Sequence, residues 1–87
     1  MTQDYEDKIR AAVERVAAAV AGGSIRTLAH MLGVSSQAIY KWIKEGVPVK
    51  RALEMSLMTR GVVQWHELVP EVLDDLRQSI AKMGVQL

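Results

Sequence analysis

The sequence predicts an all-α domain, a compact set of four to five helices with a helix-turn-helix at its centre. Three observations predict it. Nearly every periodic apolar stretch has the helical three-and-four spacing, glycines close each run, and no internal repeat or low-complexity tract interrupts the series. The chain has 87 residues, a length at which roughly 60 to 65 per cent of the unfolded surface is buried, so residues 1–87 are read as one domain with a cooperative core. There are no cysteines, which excludes a disulfide framework and any thiolate metal site. The longest apolar run, around Val16 to Ala21, is well short of the ~20 residues that span a bilayer. The start, Met1 to Lys8, is too acidic for a secretory leader. A cytoplasmic protein with no membrane partner is expected.

Ile9, Ala12, Val13, Val16, Ala17 and Val20 form the stripe of a first helix behind an acidic start (Asp4, Glu6, Asp7), and Gly22-Gly23 stops it. Ser24 is placed to cap a short second helix with apolar Ile25, Leu28, Ala29 and Leu32, which Gly33 ends. Ser35 is placed to cap a third, whose inner face is Ile39, Trp42 and Ile43 and which Gly46 closes. Pro48 sits where a first helical turn tolerates it, and Leu53, Met55, Leu57 and Met58 give a less regular fourth helix up to Gly61. For Val62 to Trp65, β-branched and aromatic, an extended segment competes with a loop. Val69, Val72, Leu73, Leu76, Ile80 and Met83 form a last stripe, with Gly84 just past its end. Two roles stay open for this C-terminal helix, residues 70–83: packing on the domain's own core, or forming a dimer interface.

Net charge is uninformative as a total of +1, but its distribution is not. Residues 25–51 hold Arg26, Lys41, Lys44, Lys50 and Arg51 against Glu45 alone, while both flanks carry more acids than bases. Such asymmetry points to a polyanion-facing surface on a neutral body. A solvated charge run is the plain alternative.

The second and third helices are joined by only Gly33-Val34-Ser35, the arrangement of a helix-turn-helix unit, residues 25–45. Ala29 has to be small where the third helix crosses, and Gly33 can take the positive φ the turn needs. The N-terminal residues of the third helix are those such a unit presents to the major groove. Here they are Ser36, Gln37, Tyr40 and Lys41: glutamine pairs with adenine N6 and N7, lysine donates to guanine O6 and N7, and serine serves base or phosphate. Arg26, Thr27 and the start of the second helix suit a phosphate. Lys44, Lys50 and Arg51 are expected to grip the backbone further along.

The stretch "TLAHMLGVSSQAIYKWIKEGVP", residues 27–48, resembles the phage Cro and CI-like repressors, and most closely their small YdaS-type branch. Val47-Pro48, Arg51, Glu54, Gly61 and the sequence Glu67-Leu68-Val69-Pro70 continue the likeness, which covers about residues 24 to 72. The turn departs from the branch's double glycine, reading Thr59-Arg60-Gly61, and both termini are longer. The resemblance implies a lambda-repressor-like fold and a sequence-specific regulator of transcription that binds double-stranded DNA. It carries Ser36, Gln37, Tyr40 and Lys41 over as base-reading positions, with Ser35 at the edge, and Arg26 and Thr27 as phosphate contacts. A Cro-like homodimer that blocks a promoter by occupying an operator is the first reading. An antitoxin or other protein-interaction module, binding a protein partner at residues 69–83, is the alternative.

Other residues fit plainer roles. Trp42 reads as a core anchor, and Tyr40 either touches the groove or phosphate or is a partly buried ring with its hydroxyl in water. Met31, Met55, Met58 and Met83 read as gap-filling side chains. His30 and His66 are far apart in sequence with no thiol partner, so no metal is expected, although His30 suits a phosphate. No nucleophile is paired with a base and no glycine loop cradles phosphate, so neither catalysis nor a cofactor is expected.

Overall fold

A computed structural model describes residues 3–85. The first helix, α1 (Gln3–Val20), is the scaffold on which every other helix packs. Its inner stripe of Ile9, Ala12, Val13, Val16 and Ala17 is at most 3% exposed. Two of those five are alanines, which lets neighbouring helices approach its axis closely. α2 (Ile25–Leu32), α3 (Ser36–Glu45), α4 (Val49–Met58), a single turn α5 (Trp65–Leu68) and α6 (Pro70–Lys82) follow. Leu28, Ile39, Met55, Val63, Leu68 and Val69 close over α1 with no exposed surface. Fully burying a side chain of this kind stabilises the fold by roughly 1.5–3 kcal/mol.

The all-α expectation holds, with one element more than expected. Val62 to Trp65 is neither a strand nor wholly a loop, because Trp65 opens α5. That turn is held by a capping box: the Gln64 side chain takes a backbone N–H of the first turn, and the Gln64 N–H donates to Glu67 Oε2 at 2.7 Å. Arg15 on α1 then donates from Nη1 to Glu67 Oε1 at 2.5 Å and from Nη2 to the Val62 carbonyl at 3.2 Å. Short as it is, α5 is fixed by polar contacts on both sides.

The inner face of α4 differs from the one its sequence suggests. Leu53 and Leu57, expected inside, are 45% and 79% exposed. Met55 is buried as expected, Ala52 takes the place of the leucines, and Thr59 follows them into the core. The Thr59 hydroxyl donates to the Ser56 carbonyl and accepts the Val63 N–H, so a polar residue closes the turn without an unpaired group. In that turn the chain bends through a left-handed residue that is not glycine, Arg60 at φ 55°. Pro48 lies one place earlier than expected, capping α4, whereas Pro70 occupies the first turn of α6.

The last stripe also departs from a simple core face. Val69 is buried and Val72 packs on the core, but Leu76 is 47% exposed and no residue of α6 itself is buried. Its inner end is fastened to α1 by Tyr5 Oη, which donates to Asp74 Oδ2 at 2.6 Å. That hydrogen bond, with burial and the nearby acids, pushes the Tyr5 pKa up to about 12. Met31 and Met83, expected as gap fillers, are also exposed. The Cα envelope is accordingly long, 44 × 26 × 18 Å.

Candidate nucleic-acid interface

Each helix of the helix-turn-helix unit is begun by a serine. Ser24 Oγ accepts the Thr27 N–H at 3.1 Å, and Ser35 Oγ accepts the Ala38 N–H at 3.1 Å. Both serines are in extended backbone, as an N-cap requires. Between the helices Gly33 is left-handed at φ 72°, the Gly33 N–H returns to the His30 carbonyl and the Val34 N–H to the Ala29 carbonyl. This pair of bonds is the Schellman closure, which satisfies two terminal carbonyls while turning the chain. Gly46 ends α3 at φ 118°, where a Cβ would be strained and would lie 3.5 Å from Glu71 Oε1.

With both ends fixed, the orientation of α3 is set by what it buries. Ile39 and Ile43 are in the core, and Trp42 packs partly against it. At about 100° per residue, Ser36, Gln37, Tyr40, Lys41 and Lys44 then share a sector roughly 140° wide on the opposite side. Gln37, Tyr40, Lys41 and Lys44 are exposed and Ser36 is half-buried at the helix start. Tyr40 is 57% exposed, on the same side as Gln37 and Lys41. No acid lies in the sector, and Glu45 at the helix end falls about 40° beyond its edge.

The other expected contacts divide into two groups. Arg26, Thr27, His30 and Lys50 are exposed. The Thr27 N–H is already used by Ser24, so the cap takes one of the donors at the start of α2. Ser35 Oγ accepts within its own cap and keeps its proton to donate. Arg51 differs from the other cations: it is half-buried, and Nη1 donates to the Leu32 carbonyl at 3.2 Å and to Glu54 Oε2 at 3.1 Å. Its guanidinium carbon also lies 6.0 Å from the centroid of the Trp42 ring. Arg51 therefore joins the end of α2 to α4 across α3. Charge alone gave no sign of this role.

A comparison with protein-family models decides what kind of domain this is. The family described as DNA-binding transcriptional regulator Cro matches residues 15–67, more than half of the chain. The chain belongs to the Cro family. The match begins inside α1, contains α2, α3 and α4 whole and ends inside α5, so it includes the helix-turn-helix with its caps and turn. No match is found among curated proteins or among solved structures. As a Cro-family member the protein is a DNA-binding transcriptional regulator, and proteins of this family bind double-stranded DNA, generally as dimers.

The family match leaves out the first two thirds of α1 and all of α6. Among the described residues no group of three or more His, Cys, Asp or Glu is placed to hold a metal ion. Among them, too, no helix is long and apolar enough to cross a membrane. A cleft of about 290 Å³ opens between α1, α5 and the start of α6, lined by Lys8, Ala11, Ala12, Arg15, Glu67 and Pro70. It takes no side chain from α2 or α3, and its arginine is engaged by Glu67.

Proposed function

We propose that the protein is a sequence-specific repressor that works by occupancy, a homodimer covering an operator so that RNA polymerase cannot use the promoter. Ser36, Gln37, Tyr40 and Lys41 read base edges in the major groove. Arg26, Thr27, Ser35, Lys44 and Lys50 hold the phosphates on either side, and the protein acts on DNA in the cytoplasm of a bacterial host. The observation that carries this reading is the α3 sector, in which every residue is a hydroxyl, an amide or a cation. A helix that served only as scaffold would have no reason to keep acids out of that sector, whereas phosphate repels them.

The mechanism follows from the division of labour among these groups. Cations against phosphate supply affinity that falls with salt, because each contact releases counterions. Gln37 and Lys41 supply discrimination, since their donors and acceptors match particular base edges. One α3 spans too few base pairs to specify a site, and a two-fold pair of readers doubles that number.

The test is a selection of bound duplexes from a randomised pool, followed by titration of the winner at several salt concentrations. The expected result is a palindrome with half-sites about 10 base pairs apart, bound roughly 10³-fold or more over random DNA. Failure to enrich any motif, with weak binding that salt abolishes, would sink the reading. It would favour the second one, a partner-binding module, which the exposed outer part of α6 supports.

A further inference from the structure

Ser36, Gln37, Tyr40 and Lys41 do not face outward equally. At about 100° per residue, with Ser36 taken as zero, the inner face of Ile39, Trp42 and Ile43 centres at about 295°. The opposite direction, about 115°, falls between Gln37 at about 100° and Lys41 at about 140°. Tyr40 and Ser36 lie about 75° and 115° to one side of it. Lys44, at about 80°, points nearly the same way, but it sits a further turn along, beyond the N-terminal residues that such a helix presents to base edges. Gln37 and Lys41 are therefore the pair aimed straight away from the core at the reading end, where the floor of the major groove would lie.

Both side chains are also free to bond a base. Among the described residues the Gln37 amide makes no hydrogen bond within the protein, whereas the Gln64 amide is bonded to the Gly61 carbonyl and the Gln3 amide to Asp7. Lys41 makes no ion pair among them either, although Glu45 is four residues on. Every cation of α1, by contrast, is paired: Lys8 with Asp4, Arg10 with Glu6 and Asp7, Arg15 with Glu67. A free amide offers a donor and an acceptor together, the complement of adenine N7 and N6. An ammonium offers donors alone, which suits guanine N7 and O6.

We propose that Gln37 reads an adenine and Lys41 a guanine one to two base pairs away, so that each half-site holds an A·T and a G·C pair at that spacing. The spacing follows from the helix: four residues advance about 6 Å along its axis, against about 3.4 Å between stacked bases. The purine N7 atoms carry the recognition. Gln37 donates to adenine N7 while accepting from its N6 amino group, and Lys41 donates to guanine N7 and O6. An adenine or cytosine in place of that guanine would turn an amino group toward the ammonium, donor against donor, and so be rejected. The inference deepens the repressor reading by naming the bases, and it rests on that reading for the seat of α3 in the groove.

The experiment titrates the full chain with the selected duplex and with two altered copies of it. One copy carries 7-deazaadenine at the expected adenine of both half-sites, the other 7-deazaguanine at the expected guanine, each replacing N7 by a C–H group. Wild type is expected to bind each altered duplex roughly three- to tenfold more weakly per half-site, the loss of one hydrogen bond. Gln37→Ala becomes insensitive to 7-deazaadenine and keeps its response to 7-deazaguanine, and Lys41→Ala shows the reverse. Lys50→Ala binds all three duplexes more weakly and keeps both responses, as the loss of a phosphate contact requires. A selected motif without an A·T and a G·C pair at this spacing, or altered purines to which wild type and both reading variants respond alike, would overturn the proposal and leave a sequence-specific regulator standing. A selection that enriches no motif at all would remove the repressor reading and this inference together.

Discussion

Arg51 donates a hydrogen bond from Nη1 to the Leu32 carbonyl oxygen at 3.2 Å. The carbonyl belongs to the last turn of α2, where terminal C=O groups lack helical partners, so the cation satisfies an orphan acceptor and offsets the negative end of the helix. Arg51→Ala should therefore lower stability, by about 1–2 kcal/mol given the partial exposure of the side chain. Arg51→Lys should recover only part of this, because an ammonium is more strongly hydrated and lacks the planar group that lies over the Trp42 ring. Urea denaturation measures the loss. A salt titration of DNA binding separates this role from phosphate contact: the slope of log affinity on log salt should be unchanged, whereas a lost phosphate contact lowers it by about one.

Gln37 and Lys50 should fail in opposite ways. Gln37→Ala removes an amide that discriminates bases, so affinity for the selected duplex should fall by about 1–3 kcal/mol while binding to random DNA changes little. Lys50→Ala should weaken both duplexes alike and reduce the salt slope by about one. Fluorescence anisotropy on the two duplexes reads both quantities. Equal losses on both for both variants would contradict this division.

The helix-turn-helix was legible in the sequence because it is encoded locally. Ser24, Ser35 and Gly33 announce the caps and the turn by residue type, and each does what its type suggests. Packing between distant segments was harder to read. Leu53, Met55 and Leu57 are the apolar residues that mark α4, yet of these only Met55 is buried, with Ala52 and the following Thr59, while the two leucines are exposed. Four residues are too few to show a helical period, so α5 left only the three-residue spacing of Gln64 and Glu67 as a signal. A cation's sequence neighbourhood also does not say whether it faces a phosphate or a carbonyl, so charge alone does not tell Arg51 from Lys50. Periodicity identifies the apolar face of α6 without saying what that face meets.

The turn after α4 makes two predictions of opposite sign. Thr59→Val keeps the shape of the side chain but removes the acceptor for the buried Val63 N–H, and should cost about 1–3 kcal/mol. Thr59→Ser, which keeps the hydroxyl, should cost less. Arg60→Gly should stabilise the protein by up to about 1 kcal/mol, because φ 55° is strained for a residue with a Cβ and natural for glycine. Thermal unfolding of the three variants provides the check. A destabilised Arg60→Gly protein would mean that the arginine side chain contributes more than its backbone strain costs.

Glu67 couples the fold to acid. The Gln64 N–H holds its carboxylate below the usual glutamate pKa, with the Arg15 hydrogen bond and charge and the charge of His66 adding to that effect while burial opposes it. A carboxylate depressed in the folded state binds fewer protons there than in the unfolded state. Its contribution is therefore fully present above the unfolded pKa and is lost as pH falls through the lower folded value. Glu67→Gln should lower Tm at neutral pH, where the ionised contacts are intact, and the difference from wild type should shrink steadily on acidification toward about pH 2. Scanning calorimetry across that range checks it. Two curves that stay parallel down to the acid limit would show that the Arg15–Glu67–Gln64 contacts hold α5 without any contribution from the charge.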